Sequence, residues 1–476
     1  MPGLLDLSAE LMQEVLKEVD PEDLARLSST NRALHSFITG NRLLWKELFL
    51  KTYDDPRARP NEPEPDWHMR ISGHVLAKKL LLCGDNVWNH MDNESFFAIA
   101  DDVQDLIFTA STPFMNSQNR KALDMLFKET SNLDTLMCKS SLFDDAGSET
   151  QFGSEDSKVR QLSAKLHVLL GKSMEPYPRL AKPLHPYARG RVYDLSQYTK
   201  ESYWGPFKND GSQDVDWEKV EAIMVVLNFN FQLFTERVHS HSGSLFGSPW
   251  DKEFFGCAAN SFRSKPLLCK AHEAAERANA LACPSNSGTR MLEEPSMDLN
   301  SQDPYGVAGT WMRIVCFLDY HDLYAYNFNI DGTLIHRERS PPLSSREAIR
   351  LITIKLRVSK IIPPGAGETL PTVEFKGTSR SMHTSFDPDA NSKIRGIVKL
   401  TPQGEVRWTS WSIFHGEERW RSEGVQIGGL RSARGVLGTW FDKDYDDHGP
   451  AGPTSFWKIS DEIVKDSYRT PVYPIV

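Results

Sequence analysis

Residues 7–49 read LSAELMQEVLKEVDPEDLARLSSTNRALHSFITGNRLLWKELF. Leu7, Leu11, Val15 and Leu16 recur near the helical period, and Ser8 stands where a side-chain oxygen can cap the first turn. Asp20-Pro21-Glu22 reads as a second helix start, with Asp20 as cap and Pro21 at the first helical position. The series that follows runs through Leu24, Leu27 and Leu34 until Gly40 breaks it. Leu43, Leu44, Trp45, Leu48 and Phe49 then form a third apolar run. The pattern predicts three short helices, a unit small enough that it is expected to pack on something else.

The whole chain has 476 residues, more than one hydrophobic core usually serves, so two or more domains are expected. Basic residues number 55 against 64 acidic ones, a formal charge of -9. That balance disfavours nonspecific binding to phosphate backbones, and no nucleic-acid partner is expected. No apolar run reaches the ~18 residues of a membrane span. Glu10 and Glu14 interrupt any secretory core, and no basic import run is visible, so an intracellular site in cytoplasm or nucleus is expected. The six cysteines are scattered, form no CxxC pair, and read as reduced thiols.

After Tyr53 the stretch DDPRARPNEPEPDW loses helical continuity through its prolines. Helical spacing returns in SFFAIADDVQDLIF, NRKALDMLFKE and SEDSKVRQLSAKLHVLLG, the last with Asp156 or Ser157 near its start and Gly171 at its end. From about residue 183 aromatics, glycines and β-branched residues dominate, with period-two alternation. MRIVCFLDY, LYAYNFNI, AIRLITIKLRVSKI, KIRGIVKLT and VRWTSWSIF read as strands, and EAIMVVLNFNFQLF as a strand or a helix-then-strand element. Asp331-Gly332-Thr333 and Thr401–Gly404 read as turns. Many short strands without a βαβ rhythm predict a closed or sandwiched antiparallel sheet. The fold class expected is therefore multidomain α+β: a small helical block at 1–50, a linker and helical region at 51–182, and an antiparallel β-barrel with helical or loop insertions at 183–476.

The opening block resembles the F-box. The likeness is carried by Leu7, Glu10, Leu11, Val15, Leu16, Pro21, Asp23, Leu24, Arg32, Leu44, Trp45, Leu48 and Phe49, with Ser8 where that family usually has proline. The resemblance implies docking onto Skp1 and, through it, onto cullin and RING subunits of a ubiquitin ligase, with no catalytic chemistry of its own. Leu4, Leu7, Leu11, Val15, Leu16, Pro21, Leu24, Leu27, Trp45 and Phe49 are the implied Skp1-binding residues. The C-terminal half resembles the barrel of large fungal F-box proteins in YWGPFKNDGSQDVDWEKVEAIMVV and YGVAGTWMRIVCFLDYHDLYAYNF. More distantly, Gly429-Leu430, Gly438-Thr439-Trp440 and His448-Gly449 are similar to the barrel of the animal F-box receptor for cyclin D. What this implies is a receptor for a protein substrate.

A receptor surface needs aromatic anchors and a few polar groups. Trp204, Phe207 and Trp217 lie in a polar, glycine-containing stretch and are candidate substrate anchors, the alternative being that they pack a long loop against the barrel. Asp444, Asp446 and His448 lie in FDKDYDDHG. Their spacing misses the glycine and distal glutamate of an EF-hand, so a solvated turn, or a surface for a basic peptide, is expected. His239 and His241 lack further zinc ligands nearby. No GxSxG elbow and no GxxxxGK[ST] run occurs, and neither metal nor cofactor is expected. Besides a ligase substrate receptor, two readings stay open: a lipocalin-like barrel for a small ligand, and an F-box protein held by Skp1 outside a ligase. The many large strand aromatics favour a filled interior over a hollow one.

Overall fold

The opening block folds as four helices rather than three: α1 (Ala9–Leu16), α2 (Pro21–Ser28), α3 (Arg32–Gly40) and α4 (Arg42–Thr52). The computed structural model describes residues 5, 7–57, 63–82, 91–111, 116–128, 130–147, 155–171, 183–239, 249–263, 299–335, 343, 345–382 and 391–463. The series that looks continuous from Leu24 to Leu34 is split at Asn31, whose side chain accepts a 2.7 Å hydrogen bond from Ala33 N and so starts a new helix. Ser8 caps α1 as expected, its Oγ accepting from Leu11 N at 3.4 Å. Met12, Leu16, Leu24, Leu34, Ile38, Leu44, Trp45, Leu48 and Phe49 close one core with Trp67 and Ile71 of α5 (Trp67–Leu82). The packing expected of so small a block is thus supplied by α5. Helices α6 (Asn93–Phe108), α7 (Gln118–Leu126) and α8 (Thr130–Met137) complete a compact unit, Met1–Cys138.

Within this unit Asp54 anchors the start of α7. Its buried carboxylate accepts from the backbone N–H groups of Ser111 (2.9 Å), Gln118 (3.0 Å) and Asn119 (3.3 Å), and from Ser117 Oγ. Burial pushes the carboxyl upward, but these donors at a helix N-terminus together hold it below its ordinary value. A carboxyl depressed by folding contributes stability above its unfolded pKa and loses it as pH falls through the folded value. Acid titration of the full chain is therefore expected to melt the N-terminal unit below the ordinary carboxylate range, and Asp54→Asn should flatten that acid limb. The check is far-ultraviolet circular dichroism of both chains from neutral pH downward.

The second unit, Lys139–Val476, holds α9 (Ser141–Asp145), α10 (Ser157–Leu170), α11 (His185–Val192) and α12 (Trp217–His239), followed by eight strands. These are β1 (Gly309–Leu318), β2 (Glu347–Ile362), β3 (Thr372–Ser381), β4 (Asn391–Leu400), β5 (Val406–Phe414), β6 (Glu417–Gln426), β7 (Val436–Asp442) and β8 (Gly452–Ser460). Each pairs antiparallel with the next, and β8 returns to β1, so the sheet is a closed meander without edges. The expected turn at Thr401–Gly404 joins β4 to β5, with Thr401 N bonded to Glu405 O and Gly404 at φ +87°.

Two strand expectations are corrected. EAIMVVLNFNFQLF lies wholly in α12, where Val220 to Leu227 are all buried, Glu221 included. A helix buried on every side shows no amphipathic stripe, and its β-branched run mimics a strand. Glu221 is matched inside by His167 of α10, whose Nδ1 lies 2.7 Å from Oε1. LYAYNFNI is the second error: Tyr320–Asn327 is a helix, capped by Asp319 through His321 N, and only Phe328 pairs as strand, with Leu334 across the turn at Gly332. The stretch KAHEAAERANALAC, whose composition predicts a helix, lies outside the described residues.

Arg434, just before β7, is fully buried. Its Nη1 donates to the carbonyls of Pro249 (2.6 Å), Lys252 (2.9 Å) and Phe255 (3.1 Å), and its Nη2 to those of Leu169 (3.3 Å) and Leu170 (2.7 Å) at the C-terminus of α10. Gly171 ends α10 at φ +77°, and a Cβ there would lie 1.2 Å from Arg434 Nη2. Glycine is needed at that point both for its backbone and for its missing side chain. Arg434→Met should strand these carbonyls and cost about 3 kcal/mol or more, by the cost of unpaired buried polar groups. Chemical denaturation of the purified chain, followed by tryptophan fluorescence, measures it.

Candidate docking face and barrel lumen

Helix α1 has two faces. Met12 and Leu16 point into the core, while Leu11 and Val15, four residues apart and so on one side, remain 55% and 46% exposed. Leu5 just before the helix is also exposed, as are Leu43 and Leu50 on α4. Gln13 Nε2 of α1 donates to Glu47 Oε2 of α4 (3.2 Å), and Lys51 Nζ of α4 donates to Glu18 Oε2 just past α1 (2.9 Å). Large aliphatic side chains left in water on so small a unit mark a surface built to be covered.

The implied Skp1-binding set therefore splits. Leu11 and Val15 are presented outward; Leu7, Pro21 and Leu27 are half-buried, and Leu4 lies outside the described residues. Leu16, Leu24, Trp45 and Phe49 are buried in the core. Trp45 is held further by its Nε1 donating to Ile38 O at 2.8 Å and by its ring against His68. Residues 4–46 match the F-box domain. The chain carries an F-box at its N-terminus, ahead of the helical layer and barrel. No curated protein and no solved structure matches the chain.

The three aromatic candidates in the second unit are not free anchors. Phe207 is fully buried and Trp217 nearly so, the latter under Lys165 Nζ at 4.9 Å from its ring. Trp204 is half-buried, its ring stacked on Tyr445 at 5.6 Å and its carbonyl accepting from Thr439 Oγ1 at 2.9 Å. Trp204 and Phe207 fasten the loop before α12 to the outer wall of β5–β7. There Glu423 is buried and takes Arg407 Nε at 3.0 Å, Arg421 Nε at 3.0 Å and Thr409 Oγ1 at 2.9 Å. The Arg407 guanidinium also lies over Tyr203 and Phe207. Gly205 has a job here: a Cβ would come within 2.7 Å of Glu423 Cβ. Gly205→Ala is expected to lift this loop and lower stability by about 1–3 kcal/mol, the usual cost of overpacking, seen as an earlier thermal midpoint with red-shifted tryptophan emission.

Asp444, Asp446 and His448 occupy an exposed turn between β7 and β8. Asp446 Oδ1 accepts from His448 N at 3.0 Å, an internal turn bond. His448 stacks on Phe328 at 4.7 Å, and Tyr320 OH donates to His448 O at 3.1 Å. The turn is thus pinned to the β1–β2 connection at one barrel end. His239 ends α12, and His241 lies outside the described residues. Among the described residues no three His, Cys, Asp or Glu side chains are grouped to hold a metal.

Strand register separates the lumen into two halves. Trp311, Ile354, Leu356, Val373, Phe375, Val398, Val406, Trp408, Val436 and Phe456 fill one end as a single apolar cluster. The same alternation brings small residues inward at the other end: Ser379, Ser381, Ser410, Ser412, Ser422 and Thr454, all buried, with Gly424 and Gly438 between them. Arg313, two residues beyond Trp311, points into this half and is 5% exposed. Its Nε donates to Thr454 Oγ1 at 2.9 Å and its Nη2 to Ser422 Oγ at 2.5 Å. Desolvation alone drops its pKa to about 10, with no carboxylate to oppose it. Strand aromatics thus fill one half of the barrel and leave the other polar. The lumen arginine was missed in the sequence, where its only signal is a charge inside the apolar run TWMRIVCF.

Proposed function

We propose that the chain is the substrate-recognition subunit of an SCF-type cullin-RING ubiquitin ligase: the F-box docks onto Skp1, and the second unit holds a protein substrate. Its role is non-catalytic. The observation that carries the reading is the outward pair Leu11 and Val15 within the matched F-box, backed by the buried partners Met12 and Leu16 on the same helix. Exposed aliphatics over a rigid core are what a hydrophobic partner groove can desolvate. Ser8, in place of the usual proline, keeps the helix start through its cap to Leu11 N.

The likeness to the cyclin D receptor supports no substrate. Gly429 admits Ala259, Gly438 admits the Glu423 carbonyl and Gly449 admits the Asp446 carbonyl, so each of these glycines serves local packing. Substrate contact is assigned in this reading to the exposed end of the barrel near Asp444, Asp446 and His448.

The test exploits the split faces. Leu11→Asp/Val15→Asp changes only solvent-facing positions, whereas Leu24→Asp would bury a charge and break the F-box itself. The double variant should keep wild-type helicity and lose roughly 100-fold or more in Skp1 affinity by calorimetry, as expected for two interface anchors. Undiminished Skp1 binding by the folded double variant would sink the assignment.

A further inference from the structure

Among the described residues, the buried and half-buried arginines that bridge elements of the second unit are matched with one exception. Arg189 meets Glu347 at 3.1 Å, Arg407 and Arg421 share Glu423, and Arg434 is wrapped in carbonyls. Arg313 has two neutral hydroxyls and, among the described residues, no carboxylate. Its Nη1 has no partner among those residues at all. A guanidinium nine-tenths buried without a counter-charge is costly, and that cost falls when an anion enters.

The surroundings suit one kind of anion. Ser410 and Ser422 face each other across β5 and β6, and Thr454 lies beside Val315, so hydroxyls ring the guanidinium. Toward the rim, the lumen-facing Ile352 and Trp420 stay half-buried although the wall is closed. Trp420 and Trp440 meet edge-to-face at 5.2 Å there, and Trp440 is fixed by its Nε1 donating to Cys316 O at 3.0 Å. A single positive charge in an enclosed place matches a monoanion; a phosphate dianion would leave one charge unopposed. The aromatic and aliphatic rim fits an apolar body.

We propose that the polar half of the barrel lumen binds a small organic carboxylate with an apolar body, with Arg313 as its charged contact and the Trp420–Trp440 pair against its body. The carboxylate accepts from the guanidinium, the hydroxyl ring completes its hydrogen bonds, and no covalent step is involved. This site belongs to the barrel and does not depend on the adaptor reading.

Octanoate and benzoate, with octan-1-ol and benzyl alcohol as neutral counterparts, are titrated into the full chain by calorimetry and tryptophan fluorescence. At least one carboxylate should bind saturably and one-to-one, and its alcohol about tenfold or more weaker, the worth of a charge-assisted hydrogen bond. Arg313→Met should abolish the preference while the melting temperature holds or rises, since a lone buried charge is removed. Thr454→Val, of nearly the same shape, removes the acceptor that aims Nε and should weaken binding several-fold; it decides the matter if Arg313→Met does not fold. The Leu11→Asp/Val15→Asp chain should bind the carboxylate like wild type, which separates this site from Skp1 docking. No saturable binding of either carboxylate, equal binding of acid and alcohol, or binding unchanged in the folded variants would overturn the proposal.

Discussion

The second unit depends on one side chain, Arg434. A helix C-terminus and an irregular segment both present carbonyls that no backbone N–H can reach, and a buried carbonyl without a donor is costly. The guanidinium gathers them from Leu169, Leu170, Pro249, Lys252 and Phe255, and its plane lies against Trp250 at 4.5 Å. Its charge also sits at the negative end of the α10 dipole. Because Arg434 lies just before β7, this buried cation joins the C-terminus of α10 to the barrel wall. The compensation is geometric: five partial negative charges stand in for a carboxylate.

Set beside it, Arg313 shows what burial without such compensation looks like. Both guanidiniums are enclosed by the same unit, yet one is surrounded by fixed dipoles and the other by rotating hydroxyls. Fixed carbonyls make a structural joint. Hydroxyls, which donate or accept by turning, make an adaptable lining. Glu423 follows the joint pattern on the outer wall, and its two arginines carry the aromatic loop through Tyr203, Trp204 and Phe207.

Legibility in the sequence followed the physics of each element. The F-box could be read because its residues occur in a fixed order along short amphipathic helices, and α6, α7 and α10 because caps and periodicity agree, down to Asp156 and Gly171. Strands β1, β2, β4 and β5 were visible as alternating runs. Helix α12 was not, since its buried faces erase the stripe that distinguishes a helix. The Leu24 to Leu34 series concealed a break because Asn31 acts through one side-chain bond. The division between presented and buried leucines was also hidden: Leu11 and Leu24 look alike in an apolar series, and only α5 packing decides which is covered. Phe207 and Trp217 looked like anchors because their sequence neighbours are polar, but Arg407 and Lys165, remote in sequence, are what cover them. Arg313 lacked any pattern, because a barrel's inner and outer faces are distinguished only once the wall closes.

The order of strands carries a consequence for biogenesis. Each hairpin of the meander forms from neighbouring residues, but closure waits for β8 to meet β1, whose paired residues, such as Val315 and Thr454, are far apart in the chain. During synthesis the F-box helices are complete long before the final strand emerges. Until Gly452–Ser460 arrives, β1 and β7 each present an unpaired ladder of N–H and C=O groups, the kind of edge that recruits other strands. A nascent chain at that stage has its F-box helices already formed and a barrel still open along one seam, so the last of the eight strands is also the one that protects the protein from aggregation.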